Sequence, residues 1–164
     1  RGVCGAYAKA IETIQIALET GLMVTMSCHI KSGQVNRISD LYDLASKLGV
    51  QELSIWEGMP KTPEEKLTMI EKEKIVEIYR KINTTQEGPR LFANTYFEGQ
   101  LLGCMAGRRW MHVAVDGSIR ACLYLQESYA NIKNSCLKDA WKALRRSGQF
   151  EGFDCNCPAQ DIFG

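Results

Sequence analysis

Residues 103–124 read GCMAGRRWMHVAVDGSIRACLY, one β-hairpin with a cysteine near each end. Val115-Asp116-Gly117-Ser118 is the turn, because Asp-Gly tolerates the positive φ that a two-residue hairpin loop demands. Counting back from it pairs Ala114 with Ile119, His112 with Ala121, Met111 with Cys122, and Trp110 with Leu123. Cross-strand partners share a face, so Trp110, Ala114, Ile119 and Leu123 are expected on one apolar face. Cys122 then shares the other with Met111, Val113 and Arg120.

In a straight strand at about 3.3 Å per residue, Cys104 would lie more than ~20 Å from Cys122. Glycines at 103 and 107 flank it, and glycine is where a chain can reverse. A fold-back over Cys104-Met105-Ala106-Gly107 brings both thiols to one end of the hairpin. Downstream, Asp154-Cys155-Asn156-Cys157-Pro158 supplies a second pair of thiols. Cys104, Cys122, Cys155 and Cys157 therefore look like ligands to a metal centre; the alternative is four buried or free thiols.

At 164 residues the chain fits one ordinary domain or two small ones. A formal net charge of +1 gives no reason to expect electrostatic capture of nucleic acid or membrane. No apolar run approaches the ~20 residues that span a bilayer. The seven cysteines, an odd number, argue against a disulfide framework and for a reducing, cytoplasmic setting with metal-bound thiolates. The chain opens Arg1-Gly2 without an initiator methionine, so a piece of a longer protein is expected.

Outward from the hairpin toward the N-terminus, the pattern is α/β. Residues 6–20 carry Tyr7, Ile11, Ile14 and Leu18 at helical spacing, stopped by Gly21. Residues 22–30 (LMVTMSCHI) read as a strand buried on both faces. Ser39 is positioned to cap a second helix with Leu41, Leu44, Ala45 and Leu48 as its stripe, ended by Gly49. Residues 52–56 (ELSIW) form a second strand. Thr62-Pro63-Glu64-Glu65 reads as a capping box that starts a third helix, with Leu67, Ile70, Ile75, Ile78 and Ile82 on its apolar side. Residues 83–89 (NTTQEGP) form the clearest linker. After it, 90–96 is expected to be a strand leading into the hairpin, 125–134 irregular, and 137–144 a short helix built on Leu137, Ala140, Trp141 and Leu144. Two parallel strands cannot bury both faces or protect their edges, so an upstream barrel half or a partner chain is expected.

These residues resemble the radical S-adenosylmethionine (SAM) enzymes that carry a C-terminal auxiliary-cluster extension, the SPASM or shorter twitch domain. The opening Arg1-Gly2, the helix, Gly21-Leu22-Met23-Val24 and Leu48-Gly49-Val50 are similar to the back half of that family's partial (β/α) barrel. More specific is Cys104-Met105-Ala106-Gly107, followed by Val115-Asp116-Gly117 and Cys122, which resembles the family's C-x-A-G…D-G…C hairpin. Ala130-Asn131-Ile132 and Trp141 resemble signals that follow it. The resemblance implies an α/β fold: an incomplete (β/α) barrel portion over 1–89, then a small α+β twitch- or SPASM-like domain over 90–164 with a hairpin and a short helix. It implies one auxiliary 4Fe–4S cluster on Cys104, Cys122, Cys155 and Cys157. SAM and a second 4Fe–4S cluster belong to the full-length enzyme only, with Arg1 a contact for SAM.

Three departures matter. The C-x3-C-x2-C loop that binds the SAM cluster is absent, so the chain alone is expected to be inactive toward SAM. Alanine stands at 130 where the family has glycine. The late cysteines are a single C-x-C pair, which favours one cluster. Spacing leaves zinc open, although structural zinc sites generally use C-x2–4-C pairs, and Cys136 is a spare ligand. Glu57 follows a strand at the end where barrel enzymes place their sites, which makes it a candidate for substrate contact. Adjacent strand residues face opposite ways, so Cys28 and His29 cannot line one cavity. The expected function is assistance by an auxiliary cluster, in substrate binding or electron transfer, during radical modification of a substrate such as a peptide. The alternative is a non-catalytic zinc or iron–sulfur module.

Overall fold

Three helices are laid down by the apolar stripes at the start of the chain, and three parallel strands alternate with them. In the computed structural model of the chain, residues 3–85, 87–150, 157 and 159 are described; Arg1 and Cys155 lie outside them. The order is α1 (Ala6–Glu19), β1 (Thr25–Ile30), α2 (Arg37–Leu48), β2 (Glu52–Glu57), α3 (Met69–Thr85) and β3 (Arg90–Ala93). The strands form one parallel sheet in the order β1-β2-β3, the arrangement that helical crossovers impose. Register aligns Met26 with Leu53 and Leu53 with Leu91, and Cys28 with Ile55 and Ile55 with Ala93. These residues make up the helix-side face, whose core adds Ile38, Ala45 and Ile75.

Four features of this first unit differ from expectation. β1 is not buried on both faces: Met26 and Ile30 are buried while Thr25, Ser27 and His29 are exposed. The helices described here cover one side of the sheet. Residues 62–65 make only a 3-10 turn, Pro63–Glu65. The box that starts α3 is the next T-x-x-E: the Glu71 N–H donates to Thr68 Oγ1 (3.2 Å) and the Thr68 N–H to Glu71 Oε2 (2.9 Å). Leu67 precedes the helix and drops into the core, and Ile70 is left exposed. The strand after Pro89 does not lead into the hairpin but pairs with β2, giving the sheet a third member. α2 begins at Arg37 rather than at a Ser39 cap.

The chain divides between Tyr96 and Phe97. A single helical turn, α4 (Asn94–Tyr96), ends the first unit. The second unit opens with a π-helical turn over Phe97–Leu101, then β4 (His112–Val113), β5 (Ser118–Arg120), β6 (Ala130–Asn131) and α5 (Leu137–Arg146), with the strands antiparallel in that order. β6 falls in the stretch expected to be irregular. Its small core is Ala106, Ile119, Ala121, Ala140 and Leu144, with Trp141 packed against it. Among the described residues no helix is long and apolar enough to cross a membrane.

Candidate metal centre

The hairpin register is slipped by one residue from the expected one: His112 lies opposite Arg120 and Val113 opposite Ile119. The cause is a three-residue loop. The Gly117 N–H donates to the Ala114 carbonyl (2.9 Å), and the Ala114 N–H to the Ser118 carbonyl (2.9 Å). Gly117 takes φ +87°, the type I turn plus left-handed residue that competes with the two-residue loop. Asp116 fixes it by accepting from the Ser118 N–H at Oδ1 and the Ser118 hydroxyl at Oδ2, both at 2.9 Å. The slip sets Val113 rather than Ala114 opposite Ile119; Ile119 and Ala121 are buried, while Trp110 and Leu123 are more than two-fifths exposed.

The fold-back around Cys104 is present. The Met105 carbonyl accepts N–H bonds from Arg108 (3.1 Å) and Arg109 (2.9 Å), and the Gly107 N–H donates to the Trp110 carbonyl (3.0 Å). Gly107 adopts φ +66°, and a Cβ there would lie 2.6 Å from the Phe150 ring. The reversal leaves Cys104 and Cys122 half-buried against the same small core.

Cys104 has its thiol pushed up above the ordinary cysteine value, first by burial; the Ala106 N–H hydrogen bond opposes this, and the negative charges of Cys157, Glu98 and Cys122 add to it. Cys122 and Cys157 are thus each within electrostatic reach of Cys104. The Tyr124 N–H points at Cys122 Sγ, 3.5 Å away. Soft sulfur donors with backbone N–H groups aimed at them suit a thiolate-ligated iron–sulfur centre by donor chemistry. Among the described residues no three His, Cys, Asp or Glu side chains form a ready-made metal site, and Cys155 lies outside those residues. Cys136 is exposed at the start of α5, its S–H donating to Asp139 Oδ2 (3.1 Å).

In the first unit, Glu57 is in register with Ile30 on the helix side of the sheet. Its carboxylate meets Lys72 Nζ at 3.0 Å with 10% of the side chain exposed. The Glu57 N–H donates to Asn94 Oδ1 (2.8 Å), tying β2 to α4. Cys28 also lies on the helix side, half-buried, its thiol raised by burial. His29 is exposed on the opposite face, in register with Trp56. Trp56 and Phe92 pair with ring centroids 5.3 Å apart, and Ser54 Oγ donates to Glu52 Oε1 (3.0 Å). Sequence reasoning missed this polar and aromatic face. The signal was there in the alternation of Thr25, Ser27 and His29 with Met26, Cys28 and Ile30.

No protein-family model and no curated protein sequence matches the chain. A parallel α/β unit followed by a cysteine-bearing antiparallel hairpin does match solved structures. The chain shares its fold with Streptococcus suis SuiB. SuiB bound to S-adenosylmethionine matches with a TM-score of 0.66 and 16% identity, over 87% of this chain and 39% of SuiB. SuiB bound to precursor peptide SuiA matches with a TM-score of 0.65 and 17% identity over the same shares. The chain therefore spans less than half the length of SuiB, and at this identity the likeness is one of fold.

Proposed function

We propose that this chain is the C-terminal part of a radical SAM enzyme and that its second unit is a twitch-like domain holding one auxiliary 4Fe–4S cluster on Cys104, Cys122, Cys155 and Cys157. The observation that carries the reading is the placing of Cys104 and Cys122 against one small core, on a fold-back and hairpin that resemble that family's auxiliary-cluster motif. SuiB, a fold neighbour bound to SAM in one structure and to a precursor peptide in another, adds support for a peptide substrate. An iron–sulfur centre supplies one-electron chemistry when bound. The chain's own contribution is to hold and partly bury the thiolates and to direct the Ala106 and Tyr124 N–H groups at sulfur.

The open face of the parallel sheet, with His29, Trp56 and Phe92, is then the wall that the whole enzyme turns toward its reaction cavity. Inward-facing strand residues play that part in barrels. Arg1 is the SAM contact that the resemblance implies. Glu57 reaches substrate only by leaving Lys72.

Anaerobic reconstitution of the full chain with iron and sulfide tests the reading. It should give brown protein with about four irons and four sulfides per chain. Incubation with SAM and dithionite should release no 5′-deoxyadenosine above background, because the chain lacks the three-cysteine loop. A colourless protein with one tightly held zinc would mean a structural metal module instead. Robust SAM cleavage would mean that the catalytic cluster is misplaced.

A further inference from the structure

The carbonyl oxygens of the Cys104 loop are gripped by cations. Arg108 Nη1 donates both to the Leu102 carbonyl (3.0 Å) and to the carbonyl of Cys104 itself (3.2 Å). Arg145, arriving from α5, donates Nη1 to the Gly107 carbonyl (3.1 Å). The Met105 carbonyl is taken by backbone N–H groups of the returning limb. The loop therefore turns its oxygens to donors elsewhere, while the Ala106 N–H is turned to the Cys104 sulfur. Among the described residues no carboxylate forms an ion pair with Arg108 or Arg145. A loop carbonyl is satisfied equally well by a neutral amide or hydroxyl donor. Two permanently charged guanidiniums on this short loop bring more positive charge than its carbonyls require.

Resting on the cluster reading above, we propose that Arg108 and Arg145 are positioning residues that set the charge balance of the thiolate centre. An iron–sulfur core on four thiolates is anionic, and one-electron reduction makes it more so. Net charge and hydrogen bonding around the sulfurs set such potentials. Cations fixed to the carbonyls at Cys104 and Gly107 favour the reduced state and raise the reduction potential. They also hold the fold-back in the shape that presents Cys104.

The test is a redox titration of the anaerobically reconstituted full chain, followed by the electron paramagnetic resonance signal of the reduced cluster. Arg108→Gln keeps an amide donor and loses the charge. It should make the reduction equilibrium about tenfold less favourable, a negative shift of about 59 mV for one electron. Arg108→Lys keeps the charge and should stay near the wild-type potential. Arg145→Gln should shift the potential in the same direction as Arg108→Gln. Lys142→Gln, at an exposed lysine paired with Asp139, should leave it unchanged. If Arg108→Gln fails to take up a cluster, Arg145→Gln carries the test with the same sign. Wild-type potentials in glutamine variants that hold a full complement of iron and sulfide would overturn the inference and leave the cluster reading standing. A wild-type chain that takes up no iron–sulfur centre would instead remove the reading on which the inference rests.

Discussion

Gly107 combines a left-handed backbone with a ring, Phe150, packed where a side chain would begin. Forcing a Cβ into φ +66° costs about 1–2 kcal/mol before any clash, and the 2.6 Å approach means that Phe150 must also move. Gly107→Ala should therefore destabilise the second unit by at least that amount, read as a lower urea midpoint followed by tryptophan fluorescence. An unchanged midpoint would mean that the fold-back relaxes freely. Glu71 makes a second prediction. Its carboxylate is held down to about 2, chiefly by the Gly33 N–H and then by the Thr68 N–H, with the Thr68 and Ser32 hydroxyls adding to them. A folded value below the ordinary 4.5 stabilises the fold fully above that ordinary value. The contribution is lost as pH falls toward 2. The wild-type urea midpoint should fall more steeply than that of Glu71→Gln between pH 4.5 and 2. Parallel curves would contradict the assignment.

At the scale of elements, β3 is the informative case. The Arg90 N–H faces β2, donating to the Gln51 carbonyl (3.0 Å), so Leu91 turns its backbone pair to the far edge. There Asn83 meets it from α3: the Leu91 N–H donates to Asn83 Oδ1 (3.1 Å), and Asn83 Nδ2 to the Leu91 carbonyl (2.8 Å). The carboxamide takes the place of a neighbouring strand and closes an edge that would otherwise invite pairing. Asn83→Ala leaves that partly buried pair unsatisfied and should cost about 1–3 kcal/mol, with faster hydrogen exchange at Leu91. Unaltered exchange there would refute the edge-closing role. None of this was legible in the sequence, where Asn83 looks like the first residue of a linker. Two T-x-x-E boxes, at 62–65 and 68–71, compete for the start of α3, and only packing of Leu67 into the core selects the second. Asp-Gly likewise permits a two- or a three-residue loop, and the choice was made by Asp116 capping Ser118. What could be read locally was read: the ends of α1 and α2, and the reversal at 104–107.

The two units differ in what holds them together. The first has a core of large aliphatics, including Ile38, Leu53, Ile55 and Ile75, closed by α2 and α3. The second buries mostly alanine, with Ile119 and Leu144 as its large members. A core so small generally needs a staple, and metal binding then contributes directly to folding. Removing iron under denaturant-free conditions should strip hydrogen-exchange protection from the hairpin and α5 while α2 and α3 keep theirs. Equal protection with and without metal would show that packing alone suffices. Five of the seven cysteines lie after residue 96, and the long aliphatic stripes lie before it. The strand after Pro89 is expected from the sequence, but its place in the parallel sheet is not, because that pairing depends on residues far away in the chain. The central claim, that four named thiolates hold one iron–sulfur centre, is tested most directly by iron and sulfide analysis of seven single Cys→Ser variants reconstituted anaerobically. The account predicts cluster loss or depletion at Cys104, Cys122, Cys155 and Cys157, and full occupancy at Cys4, Cys28 and Cys136. Full occupancy in the Cys104 and Cys122 variants would contradict it.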